Sequence, residues 1–536
     1  MDQMIYNPME EYEKKFHALH LQHTEQFFAD LVKRSGVDAE QNRETIRQYV
    51  SCREGTEKLR KKLNFRRFLR VIMCITVVLI PLVILKVSKK IRAMREELAQ
   101  IEQRAEALLQ QAHEQMRPLN ALFTQWDALR LIEKTIPMVS FEPTFSAKQE
   151  EDMRLNYDFV DEKGEEQSTV DVLAGHYNEN PFLFENKLLH IMGIETYHGY
   201  KTIRWTETYR DSDGKTRTRV RTETLHATVT KPKPFYNTQV VLNYCAQGGP
   251  DLTFGRDATN LDEKNARQLE RYVKRGEKKL KKKAEQALKT DDDFVSMSNT
   301  EFEVLFDALN RSDEVQFRTL FTPLAQTNMV DLLLSQVGYG DDFHFFKDKR
   351  TNRIISNHSQ GRMVKLLPDQ YVSYDFDEIQ RNFIGKNTDF FKAVYFDFAP
   401  VWAIPIYQER PVHSLKPIPD LSQRYALKEC EALANRLSQK YVVHPDTKTQ
   451  AILKATFVGS KNEMDETCIT AYSYDIEKRV DIVSVRGGDG HWHNVPVDWD
   501  EYLPLEMENH FYITKEELVK NQTVLASRNG LCIFSK

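Results

Sequence analysis

The sequence predicts an α+β protein with N-terminal helices, one transmembrane helix, a coiled-coil-like stalk, and then β-rich and mixed α/β soluble domains. Three observations carry that prediction. An uncharged apolar run, Val71–Leu85, lies between two clusters of lysine and arginine. A heptad-like pattern follows from Ile91 to Ala112. Beyond residue 138, segments rich in Thr, Tyr and Val are parted by Gly/Asp turns and give way to shorter helix and strand signals. The expected regions are a helical segment (1–62), an anchor with basic flanks (63–90), a heptad helix with a second helix (91–137), a mixed α/β domain (138–415) and a helix with a β-meander (416–536).

With 536 residues the chain exceeds one ordinary core. Hydrophobic residues at 41% and charged residues at 29% place it among globular rather than disordered proteins. The net charge of −4 gives no electrostatic footprint for nucleic acid, and none is expected as a partner. Six cysteines, Cys52, Cys74, Cys245, Cys430, Cys468 and Cys532, form no CxxC pair. They are read as scattered thiols in preference to a disulfide framework or a zinc site.

Met9–Arg34 reads as a helix with Tyr12, Phe16, Leu19, Phe27 and Leu31 near one face. Gly36 ends it and Asp38 caps the next helix. His17, His20 and His23 recur every third residue and are assigned to an exposed face, because no carboxylate or cysteine completes a coordination set at recognised spacing.

The anchor is expected over Phe68–Val87, single-pass, with the lipid bilayer as partner. The 15 uncharged residues Val71–Leu85 span only roughly 22 Å, short of a hydrocarbon core of about 30 Å. Spanning therefore requires Arg70 and Lys86 to snorkel, and Pro81 to be tolerated within the helix. Seven basic residues precede the run and five follow it, so the charge rule barely favours an inside N-terminus. The length of the N-terminal segment favours the large portion lying across the membrane from it. Against this stand the unpaired cysteines and the doubly basic flanks, which equally suit a re-entrant segment bent at Pro81 with both sides cytoplasmic, and both topologies stay open.

Ile91, Met94, Leu98, Ile101, Ala105, Leu108 and Ala112 alternate steps of three and four. Homo-oligomerisation through this seam and packing against the chain's own helices, for instance Leu119–Ile136, stand nearly even. Tyr200–Arg210 and Thr216–Thr230 flank the turn DSDGK as a hairpin, with KPKP at Lys231–Pro234 ending its second strand. Asp262–Lys289 is a basic helix, with eleven Lys/Arg against five acids. It is either a solvated face or a contact for an anionic membrane surface. Ala393–Tyr407 reads as a buried strand or turn, since Asp397, Pro400 and Pro405 argue against a span. Leu421–Lys440 is a helix before strands at Ile452–Ser460, Thr467–Tyr474, Arg479–Val485 and His491–Asp498.

FEVLF at Phe302–Phe306, Asp313, FRTLFTPLAQ at Phe317–Gln326, then LLLSQ and FHFFK resemble a family of bacterial membrane-anchored proteins carrying a domain of unknown function. The similarity covers about residues 301–350 only. It implies a short helical lead before a β-strand, and no activity.

The chain lacks a phosphate loop, a dinucleotide fingerprint, a nucleophile elbow and HExxH. Two constellations remain. His491 and His493 share one strand face beside Asp489 and Asp498, the donor types a metal needs. Asp341, Asp342 and His344 cluster among aromatics, where paired carboxylates hold a cation or share a proton. For both, a turn or capping role is the stronger reading. The expected function is a membrane-tethered scaffold or interaction protein without a cofactor. A membrane-bound metal-assisted hydrolase and an anionic lipid-surface binder are the alternatives.

Overall fold

Gly36 closes the helix His17–Ser35 in the left-handed conformation, φ 65°, and its N–H reaches the Val32 carbonyl at 3.2 Å. Asp38 then accepts the Gln41 N–H at 3.0 Å and opens the helix Ala39–Ile75. This computed structural model describes residues 4–75, 88–160, 164, 166–259, 261, 264–290, 297–411, 416–418, 424–437, 439–461, 464–514 and 531–533. It is α+β, as expected, and divides into two compact units. One, here the helical unit, comprises Glu10–Pro137 and Lys365–Phe396. The β-rich unit comprises Met1–Met9, Met138–Val364 and Asp397–Lys536.

In the helical unit, Ala39–Ile75 and Ser88–Asn120 pack side by side as an antiparallel pair. Leu63 meets Ile91 and Met94, with Leu59 and Leu98 beside them. Arg60 pairs with Glu102 at 2.6 Å, and Asn42 donates to the Gln115 side chain at 3.2 Å. The apolar seam Ile91–Ala112 is thus covered at Ile91, Met94, Leu108 and Ala112 within the chain itself, and Ile91, Met94 and Leu98 meet the preceding helix rather than Leu119–Ile136. A stalk dimer draws no support from a seam so occupied. Among the described residues no helix is long and apolar enough to cross a membrane. Residues 76–87, with Pro81 and Lys86, lie outside the described residues; Arg70 falls in the last turns of Ala39–Ile75.

The helix Phe376–Trp402 places its residues up to Phe396 in the helical unit. There Phe383 and Phe391 pack with Tyr12, Phe28, Phe123 and Tyr371. His20 lies flat on Phe391, ring centroids 4.0 Å apart, and is fully buried. The exposed histidine face expected from the sequence is therefore corrected for His20, while His17 stays exposed and His23 is half-buried. The apolar stripe needs His20 and Thr24 to continue from Phe16 to Phe28 at steps of four.

The β-rich unit holds two antiparallel sheets, ordered β1-β2-β3-β4-β7-β6-β5 and β11-β10-β9-β8. In chain order these strands are β1 Val139–Phe141, β2 Gln167–Tyr177, β3 Asn180–Arg210, β4 Thr216–Cys245, β5 Thr253–Arg256, β6 Phe343–Asp348, β7 Thr351–Ser356, β8 Ile452–Lys461, β9 Met464–Arg486, β10 Trp492–Thr514 and β11 Leu531–Ile533. The expected hairpin around DSDGK is present but far longer, and KPKP does not end it. Pro232 and Pro234 pair with Ile194 and Met192. β7 joins β4 only at Leu242–Cys245, so two prolines spaced by two turn their missing N–H groups to an unpaired edge. The expected strands 467–474 and 479–485 are one strand of 23 residues. Asp475–Lys478, read as a turn, lies in the ladder, where Lys478 pairs with Asp500 and Arg479 bonds Glu501 across the strands.

The two long hairpins pack face to face. Ile203, Leu225 and Ala227 meet Val495 and Val497, with Trp205 and Val483 at the margin. The approach is tight at Gly199, where a Cβ would lie 2.2 Å from the Pro496 carbonyl oxygen and 2.8 Å from Val497. Gly199→Val should cost about 1–3 kcal/mol through overpacking. Urea unfolding measures it, and an unchanged midpoint would remove the ribbon contact from the account.

The helix Leu427–Arg436 ties the two sheets together. Glu431 accepts the N–H groups of Thr169 on β2 (2.9 Å) and Ala455 on β8 (3.3 Å), and burial raises its carboxyl pKa. Residues 416–536, expected as a separate domain, accordingly fall in the same unit as the long β3–β4 hairpin. Ala393–Tyr407 is helical through Trp402 and buried, followed by a 3-10 turn at Pro405–Gln408, so the strand reading is corrected. Cys245, Cys430 and Cys468 are buried free thiols, and Cys52 is free and half-buried.

Candidate functional site

The segment Gly338–Phe343 leads into β6 and carries both expected aspartates, but it sends them apart. Asp341 is fully buried against Arg256, the last residue of β5. Its second oxygen accepts from the Thr259 N–H (3.0 Å), the Thr259 hydroxyl (2.6 Å) and the Leu261 N–H (3.2 Å). Arg256 also donates to the carbonyls of Phe306 (3.1 Å) and Phe343 (2.7 Å), with its guanidinium 4.5 Å from the Phe343 ring centre. Burial pushes the Arg256 pKa down and Asp341 pulls it back up, for a net lowering. Every polar atom of this pair is engaged in holding loops together.

Asp342 turns the other way. It accepts the His358 backbone N–H at 3.0 Å and lies 2.6 Å from Nδ1 of the His358 ring. That ring stacks on Tyr339 at 3.8 Å, and its Nε2 is 3.4 Å from Asp397. Asp397 in turn accepts the Ser359 hydroxyl at 2.8 Å and pairs with Arg362. The imidazole is thus held between two carboxylates. The arrangement is not that of an activated nucleophile, since the Ser359 hydroxyl is directed to Asp397 and the serine is fully buried. His344 belongs to neither network; its Nδ1 is 2.9 Å from Asp257 at the surface. The expected trio Asp341, Asp342 and His344 therefore divides among three settings.

At the Gly487–Gly490 turn, Asp489 and His493 do come together. His493 Nε2 lies 2.9 Å from an Asp489 oxygen, and the same carboxylate accepts the His491 N–H at 3.0 Å. These contacts hold Asp489 below the usual carboxylate range, the backbone hydrogen bond first among them. The turn itself is seated on the other ribbon, where the Gly488 N–H donates to Glu223 at 2.6 Å. Asp498 is exposed and five residues beyond His493 in β10, so strand alternation places it on the opposite face. Among the described residues no group of three or more His, Cys, Asp or Glu side chains is placed to hold a metal ion.

The basic helix, Ala266–Thr290, rests on Thr300–Phe306 through Gly276, where a Cβ would lie 2.3 Å from Val304. Beside it runs a cleft of about 1090 Å³ lined by Lys279, Lys283, Arg311 and Arg318 together with Glu303 and Glu314. Arg311 is committed to Glu303 at 3.1 Å and to Glu314 at 3.4 Å, so the cleft is of mixed charge. A second cavity, about 520 Å³, is lined by His190, Tyr236, Tyr472 and Tyr474.

Sequence reasoning found Asp342 but missed His358, Ser359, Arg362 and Asp397. They lie 16 to 55 residues away in NHSQGR and inside an apolar helix, and no local spacing marks them. Taken together, the fold and its polar clusters define an α+β protein whose buried charges join elements. No family model matches the chain, and no curated protein or solved structure does. The resemblance of residues 301–350 thus transfers no functional residue. In that stretch the chain forms the helices Thr300–Phe306, Glu314–Leu320 and Pro323–Leu334 and then the strand Phe343–Asp348.

Proposed function

We propose that this chain is a membrane-tethered interaction protein. The observation that carries the interaction reading is the outward face of the two packed ribbons. Val480, Ile482 and Trp492 point away from the ribbon contact and are 56%, 60% and 69% exposed. Ile194 and Tyr200 do the same on β3. Apolar side chains spread along exposed strand faces suit capture of a protein partner. The tether rests on the sequence, on Val71–Leu85 and its basic flanks.

Crosslinking of the full chain in native membranes tests the reading. Carbonate-washed membranes should retain the protein, and a discrete crosslinked species should disappear in Ile482→Thr/Trp492→Ser. Release by carbonate would remove the tether. An adduct pattern unaltered in the double variant would remove the ribbon face as the docking surface.

A further inference from the structure

We infer that both flanks of the apolar run meet an anionic membrane from the same side, so that the chain before Phe68 and the chain after Ser88 share one compartment. The inference rests on the tether reading above and adds its sidedness.

The geometry comes from the described flanks alone. A straight transmembrane helix over Phe68–Val87 would hold Leu63 and Ile91 on opposite sides of a hydrocarbon core of about 30 Å. Instead Leu63 packs against Ile91 and Met94. Farther along the pair Arg60 bonds Glu102, and farther still Asn42 bonds Gln115. These contacts belong to one antiparallel register, in which the chain before Leu63 runs alongside the chain after Met94. That run is also too short to span without help: 15 residues give roughly 22 Å.

The same end of the helix pair has the chemistry of a headgroup surface. Lys58, Lys61, Lys62 and Arg67 on one helix, and Lys89, Lys90, Arg92 and Arg95 on the other, are exposed and lie together there. Phe65 and Phe68, 63% and 61% exposed, stand among them. Exposed aromatics interleaved with lysine and arginine fit the interface of an anionic bilayer, where each basic residue adds to the attraction. The other apolar run of the sequence, Ala393–Tyr407, offers no second crossing, because Phe398, Val401, Trp402 and Tyr407 are buried in the protein core.

The test labels the full chain in sealed membrane vesicles. Arg47→Cys and Glu97→Cys, both at exposed positions, are placed together in a Cys52→Ser background. A membrane-impermeant maleimide is applied before and after permeabilisation, and each position is read by peptide mass spectrometry. The expected result is that the two positions behave alike, both modified or both protected. Modification of one with protection of the other overturns the inference and leaves the tether standing. Recovery of the protein in the soluble fraction overturns the tether, and the sidedness falls with it.

Discussion

Replacing Arg256 with methionine will destabilise the β-rich unit by about 3–5 kcal/mol, because it leaves the Asp341 carboxylate buried without its cation. The side chain has no solvent to fall back on: both partners are 0% exposed. Two further donors are lost, leaving the Phe306 and Phe343 carbonyls with one hydrogen bond fewer each. Lysine is a poor substitute, since one ammonium cannot reproduce a planar fork aimed at three acceptors. Removing both charges, in Arg256→Met/Asp341→Leu, should recover part of the loss, as the desolvation cost of the pair vanishes with it. Guanidinium unfolding followed by tryptophan fluorescence gives the comparison. A single variant within about 1 kcal/mol of the parent would show that the pair is not structural.

The second large effect is acid sensitivity at His20. Burial pushes its pKa from 6.5 down to about 3. The Asn387 carbonyl, 3.3 Å from Nε2, can only accept, so the neutral ring keeps its proton there and turns Nδ1 to the Thr135 hydroxyl at 3.1 Å. A histidine whose folded pKa is depressed binds fewer protons in the folded state than in the unfolded one. Its contribution is therefore complete above about pH 6.5 and is lost as the pH falls towards 3, at up to about 1.4 kcal/mol per pH unit. His20→Gln should lower stability at pH 7 by about 1–3 kcal/mol through lost packing on Phe391. It should also flatten the decline between pH 6.5 and 4. Thermal melts across that range test this, and parallel curves for parent and variant would rule out His20 as the cause.

These two sites also show how much was legible in the sequence. The helix ends at Gly36 and Asp38, the hairpin turn at DSDGK and the α+β class were all readable, because each depends on local chemistry. The histidines were misassigned for a physical reason. Period alone could not reveal that His20 and Thr24 fill an otherwise aromatic stripe, since their burial depends on Phe391, more than 360 residues later. Prolines and charges at Lys231–Pro234 and Asp475–Lys478 read as breaks, yet each is compatible with a strand given the right edge or cross-strand partner. The candidate sites fared similarly. Adjacency in sequence suggested that Asp341 and Asp342 act together, whereas consecutive residues at a strand entrance face opposite ways. The partners that define them, Arg256 and His358, are tertiary.

The length of the two ribbons bears on how the molecule assembles. β3–β4 grows from the turn at Asp211–Lys215 and β9–β10 from Gly487–Gly490, each strand pairing with its immediate neighbour in sequence. Both can zip outward from a tight turn, with little chain entropy spent per added pair. Docking one finished ribbon on the other is the step that requires distant segments to meet, and it closes on the bare backbone of Gly199. Gly199→Val should then act mainly by accelerating unfolding, with the early growth of each ribbon unaffected.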